Sequence, residues 1–387
     1  MKYITLNPIA EAGLQHLPAD YERTDDLNEA EIALVRSANL LETEFPAGLE
    51  AIGRAGAGTN NIPVAKLAET GVIVFNTPGA NANGVKELVL LGLILAARDA
   101  KGGMAWVDAN KDDENLAKSM EKVKSKYAGL EIRGKVLGVI GLGAIGVIVA
   151  NAAVALGMKV IGYDPFLSVD HALHLNSSVS VVNSLDDLYA ASDFVTIHVP
   201  QNDATKGTLN KAAFTKMKDC VAVLNFARDG LVVNADLKAA LESGKVRVYV
   251  TDVPNYEVVN FPNVIAFPHL GASTEESETN CAIMAVDELV DYIENGNITN
   301  SVNFPSCNLG PAVKPSRICV AHRNVPNVVS SLTTLLGSAK TNLSDMVSKS
   351  RGDYAYAMFD MDGRIDAAVI QAIKGIPDVL RVRVIEK

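Results

Sequence analysis

Apolar and polar positions alternate in two long series along this chain. In residues 1–76, short apolar runs at Tyr3–Leu6, Ile32–Val35, Leu49–Ile52 and Val72–Phe75 predict strands. Helix-compatible stretches around Glu11–Leu17 and Val64–Glu69 stand between them. Such alternation predicts a parallel sheet covered by helices. Residues 135–267 repeat the pattern more strongly, with six apolar runs: Lys135–Ile140, Met158–Tyr163, Phe194–Ile197, Val221–Leu224, Val246–Val250 and Val264–Phe267. Six strands with helical crossovers make a second such sheet. The polar, lysine-rich stretch Lys101–Lys126 between the series reads as solvated helix and loop.

A long helical segment, Glu275–Glu294, follows and stops at Asn295-Gly296-Asn297. Asn303–Pro311 has the composition of a linker. The last residues then read strand Arg317–Val320, helix Val328–Ala339, strands near Met346 and Tyr354–Met358, helix Ile365–Lys374 and strand Val379–Ile385. That order is βαββαβ, the ferredoxin-like arrangement. The expected class is α/β: two doubly wound, Rossmann-like parallel-sheet domains plus a small ferredoxin-like module.

One turn carries chemistry. Gly141-Leu142-Gly143-Ala144-Ile145-Gly146 joins the first strand of the second series to an apolar helix. Glycines in this spacing allow a tight turn, close approach of backbone to a pyrophosphate, and close packing of helix on strand. The helix N-terminus would present free N–H groups to the phosphates. The next strand ends in Asp164, placed to bind the ribose hydroxyls of NAD and to repel the extra phosphate of NADP.

Ligands of open α/β sheets bind beyond the carboxyl ends of the strands. Those ends carry Asp164, His198-Val199-Pro200, Asn225-Phe226-Ala227-Arg228, Asp252 and Pro268-His269-Leu270-Gly271-Ala272. Hydride transfer at a hydroxyl-bearing carbon needs a proton carrier and a cation that grips the substrate carboxylate. His269 suits the first role because imidazole titrates near neutrality. Arg228 suits the second because its planar fork binds a carboxylate bidentately. Glu257 is a candidate to hold the second ring nitrogen of His269.

Composition narrows the partners. With a net charge of −10 and a pI near 5.2 the chain is not built as a nucleic-acid surface, while a small anionic substrate in a locally basic pocket is compatible with it. The longest apolar stretch, Leu88–Ala97, is too short for a membrane span. Met1–Leu6 leads into a strand-like pattern and not a secretory signal, so a cytoplasmic location is expected. The four cysteines are widely spaced with no CxxC pair, so free thiols and no metal site are expected.

The motifs Arg54–Ile62, Asn76-Thr77-Pro78-Gly79, Gly141–Gly146, Asn225–Arg228, Asp252-Val253 and Pro268–Thr274 occur in an order that resembles the D-isomer-specific 2-hydroxyacid dehydrogenases. The resemblance implies NAD as cofactor and Arg228, Glu257 and His269 as the catalytic set. It places Asp252 on the nicotinamide carboxamide, and Ala144, Ile145, Thr205 and Ala227 against the dinucleotide. Residues 1–97 and 280–303 would form a discontinuous substrate-binding domain and 98–279 the NAD-binding domain, with catalysis in the cleft between them. Residues 304–315 would be a linker and 316–387 would be similar to an ACT regulatory domain.

Asn81–Leu88 and the terminal module are similar to the branch that oxidises 3-phospho-D-glycerate, with Arg54, Ala55, Gly56 and Asn81 on the substrate and Lys124 or Lys126 as further cations. His322, Asn324 and Asn342 match positions that bind serine as effector, although Asn327 stands where glycine is usual. A homo-oligomer, dimer or tetramer, is implied, with Glu87–Asp108 as the packing segment. The alternatives are a reductase of glyoxylate, hydroxypyruvate or 2-oxoglutarate, a non-catalytic NAD-dependent regulator, and an amino-acid sensor.

Overall fold

A computed structural model describes residues 1–387. The strands form where the apolar runs lie. The first sheet comprises β1 (Lys2–Thr5), β2 (Glu22–Arg23), β3 (Ile32–Val35), β4 (Ala51–Arg54) and β5 (Ile73–Asn76), all parallel, in the order β2-β1-β3-β4-β5. The second comprises β6 (Val136–Ile140), β7 (Lys159–Tyr163), β8 (Ser180–Val181), β9 (Phe194–Ile197), β10 (Val221–Asn225), β11 (Val246–Thr251) and β12 (Val264–Ala266). It too is parallel, in the order β12-β11-β10-β9-β6-β7-β8. A continuous apolar run such as Ile32–Val35, buried at every position, is what a strand covered on both faces requires.

Two strands are additional to the expected ones, β2 and β8. Each has two residues, both exposed, at a sheet edge. Backbone pairing alone makes them, so no apolar signal announces them.

The last segment folds as β13 (Ser316–Arg323), a helix Val328–Ser338, β14 (Leu343–Arg351), β15 (Tyr354–Met361), a helix Ala367–Lys374 and β16 (Val379–Glu386). The sheet is antiparallel in the order β14-β15-β13-β16, the ferredoxin-like order. Asn327 caps the first of these helices in the left-handed region, φ 71°. Asparagine tolerates that conformation better than other side chains, so it can stand where glycine is usual.

The chain divides into two compact units, Met1–Asn81 with Glu275–Lys387, and Ala82–Thr274. This differs from the expected boundaries at 97/98 and 279/280. Helix Ala82–Ala97 belongs with the second sheet because Val85, Val89, Leu93, Ala96 and Ala97 are buried in the same core as Leu137, Val149 and Leu224. The terminal module has a core of its own, with Ile318, Leu332 and Phe359, and shares a second core with the first sheet, in which Phe75, Leu289 and Tyr292 meet Cys319, Tyr356 and Met358.

Two arginines fasten that module. Arg317, 1% exposed, donates through Nε and Nη2 to Asp360 at 2.7 and 2.8 Å. Its Nη1 donates to the carbonyls of Asn295 and Gly310 at 2.8 and 2.6 Å. One guanidinium thus ties the end of the long helix Glu275–Asn295, the linker and the module's sheet together. Arg383 pairs with Glu50, donates to the Tyr292 carbonyl at 2.8 Å, and lies 4.4 Å from the Tyr292 ring centroid.

Removing one partner of a buried pair leaves the other uncompensated. Arg317→Ala should therefore destabilise the protein by about 3–5 kcal/mol, read as a lower urea midpoint. A change below about 1 kcal/mol would mean that the pair behaves like a surface salt bridge.

Candidate active site

The site is built at the carboxyl edge of the second sheet. All seven strands run parallel, so every strand leaves the sheet at that one edge. β6 ends at Ile140 and the chain turns through Gly141, whose φ of 90° is left-handed and whose N–H donates to the Tyr163 carbonyl at 2.9 Å. A Cβ on Gly141 would stand 2.7 Å from the His198 carbonyl oxygen, and one on Gly146 would lie 1.8 Å from the Gly141 oxygen. Helix Ala144–Ala155 can start there only because both positions lack side chains. At Gly143, by contrast, a Cβ would meet nothing within 4 Å. That open side of the turn lies at the helix N-terminus, where a phosphate would be received.

Asp164 follows β7. Its Oδ2 accepts from the Leu142 N–H at 2.9 Å and its Oδ1 from the Phe166 N–H at 2.8 Å. The carboxylate therefore sets the shape of the glycine turn, and its remaining lone pairs stay available to ribose hydroxyls.

After β9, His198 Nε2 lies 2.9 Å from Thr196 Oγ1, while Nδ1 is buried without a partner. Burial pushes its pKa down to about 4, so the ring is neutral at pH 7. The following loop, through Val199, is closed by the Thr205 hydroxyl, which donates to the Pro200 carbonyl at 2.6 Å.

After β10, Asn225 organises the turn. Its Nδ2 donates to the Arg228 carbonyl at 2.8 Å and its Oδ1 accepts from the Ala227 N–H at 3.0 Å. Arg228 is exposed, with Nη1 donating to the Ala227 carbonyl at 2.7 Å. The neighbouring Asp229 folds back onto the Gly230 N–H at 2.8 Å.

Asp252, after β11, is 2% exposed and lies at the centre of the group. Its Oδ2 accepts from the Gly271 N–H at 2.9 Å, its backbone carbonyl accepts from the His269 N–H at 2.9 Å, and its Oδ1 is buried without a partner. Burial raises its pKa, opposed by the Gly271 hydrogen bond and by the charges of His269 and Arg228. Guanidinium, imidazole and carboxyl thus share one end of the sheet. His269 takes a left-handed φ of 54°, and Ala272 follows Gly271, where a Cβ would press on Asp252 Oδ2 at 2.8 Å.

Glu257 is placed differently from the expectation. Its Oε2 accepts from Asn234 Nδ2 at 2.8 Å, and no hydrogen bond joins it to His269. A short helical turn, Val258–Asn260, begins immediately after it, which turns its side chain towards the helix Asn234–Glu242.

The candidate substrate residues Arg54, Ala55, Gly56 and Asn81 lie in the other unit. Gly56 has φ 144°, and a Cβ there would stand 1.6 Å from Arg54 Nη1, so the guanidinium lies across the glycine.

The three candidate effector residues are not brought together. His322 pairs with Ala355 on β15, whereas Asn342 precedes Leu343, which pairs with Met361. Six residues of strand, about 20 Å at 3.4 Å each, separate these positions. His322 Nδ1 is 2.7 Å from the Arg323 carbonyl, Asn324 donates to the Gly352 carbonyl at 2.9 Å, and Asn342 donates to Asp362 at 2.8 Å. Spacing along the chain carries no record of which end of an antiparallel sheet a residue reaches.

The residues present fit a dinucleotide on three counts: the open turn at Gly143, the acid after β7, and a buried carboxylate oxygen at Asp252 with no partner. Comparison with known proteins agrees. Residues 92–271 match the model described as "D-isomer specific 2-hydroxyacid dehydrogenase, NAD binding domain". Residues 92–271 are thus the NAD-binding domain of the D-isomer-specific 2-hydroxyacid dehydrogenases. The chain is 33% identical over 79% of its length to a D-3-phosphoglycerate dehydrogenase of Archaeoglobus fulgidus, and 34% identical over 78% to one of Bacillus subtilis. The chain spans 60% and 57% of those two relatives' own lengths.

Among solved structures, the NAD-bound 3-phosphoglycerate dehydrogenase of Entamoeba histolytica aligns with a TM-score of 0.59 at 25% identity, covering 78% of this chain and 98% of that one. A glyoxylate reductase from Paecilomyes thermophila, at 24% identity and a TM-score of 0.64 over 78% of this chain and 98% of its own, shares the fold. No helix is long and apolar enough to cross a membrane, and no cluster of metal-binding side chains is present.

Two outcomes follow. Gly146→Ala should push the helix off the turn, destabilise the protein by about 1–3 kcal/mol and abolish NAD binding by calorimetry; unimpaired binding would mean that the contact is soft. Because the folded pKa of His198 lies below its ordinary value of 6.5, its contribution to stability is present above pH 6.5 and is lost as pH falls towards about 4. Urea midpoints should therefore fall more steeply over that range in the native protein than in His198→Gln.

Proposed function

We propose that the chain oxidises the C2 hydroxyl of 3-phospho-D-glycerate to 3-phosphohydroxypyruvate with NAD, a first step towards L-serine. What supports this reading is that the charges of Arg228 and His269 both act on the buried Asp252, at the carboxyl end of a parallel sheet that also carries a dinucleotide-type turn, in a chain similar to 3-phosphoglycerate dehydrogenases. NAD, when bound, supplies the hydride acceptor. Arg228 holds the substrate carboxylate and the C2 oxygen through its fork, and its exposed side chain is free to swing onto them. His269 removes the hydroxyl proton as C2 becomes a carbonyl. Asp252, with its unpartnered Oδ1, would hold the carboxamide of the cofactor. Glu257 stabilises the imidazolium after exchanging Asn234 for the ring.

The substrate phosphate needs cations, and Arg54 is the first candidate. The C-terminal module, ferredoxin-like in its sheet order, acts as an ACT-type module in a homo-oligomer, and the protein works in the cytoplasm. Any effector pocket using His322, Asn324 and Asn342 together draws them from more than one chain.

The test is cofactor reduction with the keto product trapped. The phosphorylated substrate should give a higher kcat/KM than D-glycerate or D-lactate. Arg228→Ala should lower kcat by about 10²–10³ while the NAD dissociation constant stays unchanged. Unchanged turnover in Arg228→Ala, or a preference for the unphosphorylated acids, would refute the reading.

A further inference from the structure

The long helix Glu275–Asn295 presents a second group of residues, in the first unit. Asn280, Ile283, Met284, Asp287, Glu288 and Asp291 recur every three or four residues, so they form one stripe. With Thr299 and the turn at Gly79 and Ala80 they line an open groove of about 640 Å³. No lysine or arginine lines it. Its floor is apolar at Ile283 and Met284, and its three ionisable groups are all carboxylates.

Glu288 is the telling residue. It is only 8% exposed, its Oε1 accepts from Asn300 Nδ2 at 2.5 Å, and its Oε2 is buried without any partner. A carboxylate oxygen buried beside a groove and left unpaired is costly unless a cation meets it. Burial pushes its pKa up to about 7, with the charge of Asp287 adding to the rise and the Asn300 bond opposing it.

The other two acids are partly engaged. Asp287 lies 2.8 Å from His16 Nδ1, and Asp291 Oδ1 accepts from Asn295 and Asn297 at 2.9 and 3.0 Å. A divalent metal is a poor match, since no three ligating side chains converge. An organic cation with an apolar stem matches both the charge and the floor.

We propose that this groove binds a small aliphatic diamine. One protonated nitrogen pairs with the Glu288 carboxylate, the second sits one helical turn on at Asp291, and the carbon chain lies over Met284 and Ile283. The charged or titratable groups facing Glu288 are Asp287 and Asp291 on its own helix. From the turn after the first helix, Glu11–Leu14, His16 approaches through Asp287, and the 79–80 turn and residues 299–300 add no charge. A bound ammonium favours the ionised carboxylate, so binding near pH 7 releases a proton.

The experiment is calorimetry of the full chain with 1,4-diaminobutane, in two buffers of different ionisation enthalpy. We expect saturable one-to-one binding with a buffer-dependent heat that reports proton release. Glu288→Gln should weaken binding at least tenfold and remove the buffer dependence, with its melting curve confirming a folded protein. Asp291→Asn should weaken it several-fold. Butylamine should bind at least tenfold more weakly than the diamine. Absence of saturable heat with the native protein, equal affinity in Glu288→Gln, or equal affinity for butylamine would overturn the proposal. None of these readings uses turnover, so the outcome is independent of the dehydrogenase assignment.

Discussion

The turn that leaves β6 can close only while position 146 carries no side chain. The Gly141 carbonyl oxygen occupies the space a Cβ would need, and from that close approach the rest of the second unit follows. Helix Ala144–Ala155 lies flat on the sheet, its first turn faces the open side of Gly143, and Asp164 reaches back to hold Leu142. Sequence, backbone and ligand chemistry meet at this contact. Two of the glycines are required by the backbone, for a left-handed φ at 141 and tight packing at 146, while Gly143 leaves open space at the helix N-terminus.

Asp252 plays the corresponding part on the other half of the sheet. It is buried, it organises the backbone at His269 and Gly271, and it feels the charges of Arg228 and His269. Leaving Oδ1 without a partner costs stability. A bound carboxamide would recover that cost, so the energy stored in an unsatisfied oxygen becomes selectivity for the ligand that satisfies it. In the first unit charge is used as structure: the buried Arg317 and the half-buried Arg383 are well partnered, and they join the module's sheet to the rest of the unit.

Most of the architecture was legible in the sequence because long apolar runs and a 3.6-residue stripe leave strong signals. Ile32–Val35 and Val64–Glu69 form at their expected limits, and the long helix ends within a residue of its expected stop. β2 and β8 were invisible because exposed two-residue edges have no pattern. The stretch Leu88–Ala97 reads as a buried helix from its composition, but which sheet buries it is a tertiary fact. At the site, the residues at the strand ends were readable from topology alone, since parallel strands share one carboxyl edge. The partner of Glu257 was not, because its direction depends on a helical turn that starts at the next residue. Nor was the distance between Asn342 and His322, which antiparallel register sets.

The central claim is that His269 and the dinucleotide occupy the same crevice. Histidine-ring NMR on the isotope-labelled protein, titrated with NAD and assigned through His269→Gln, tests it directly. The account predicts that the His269 ring signals shift and saturate at the dissociation constant found by calorimetry. His269 signals that stay in place while NAD binds at full occupancy would contradict it.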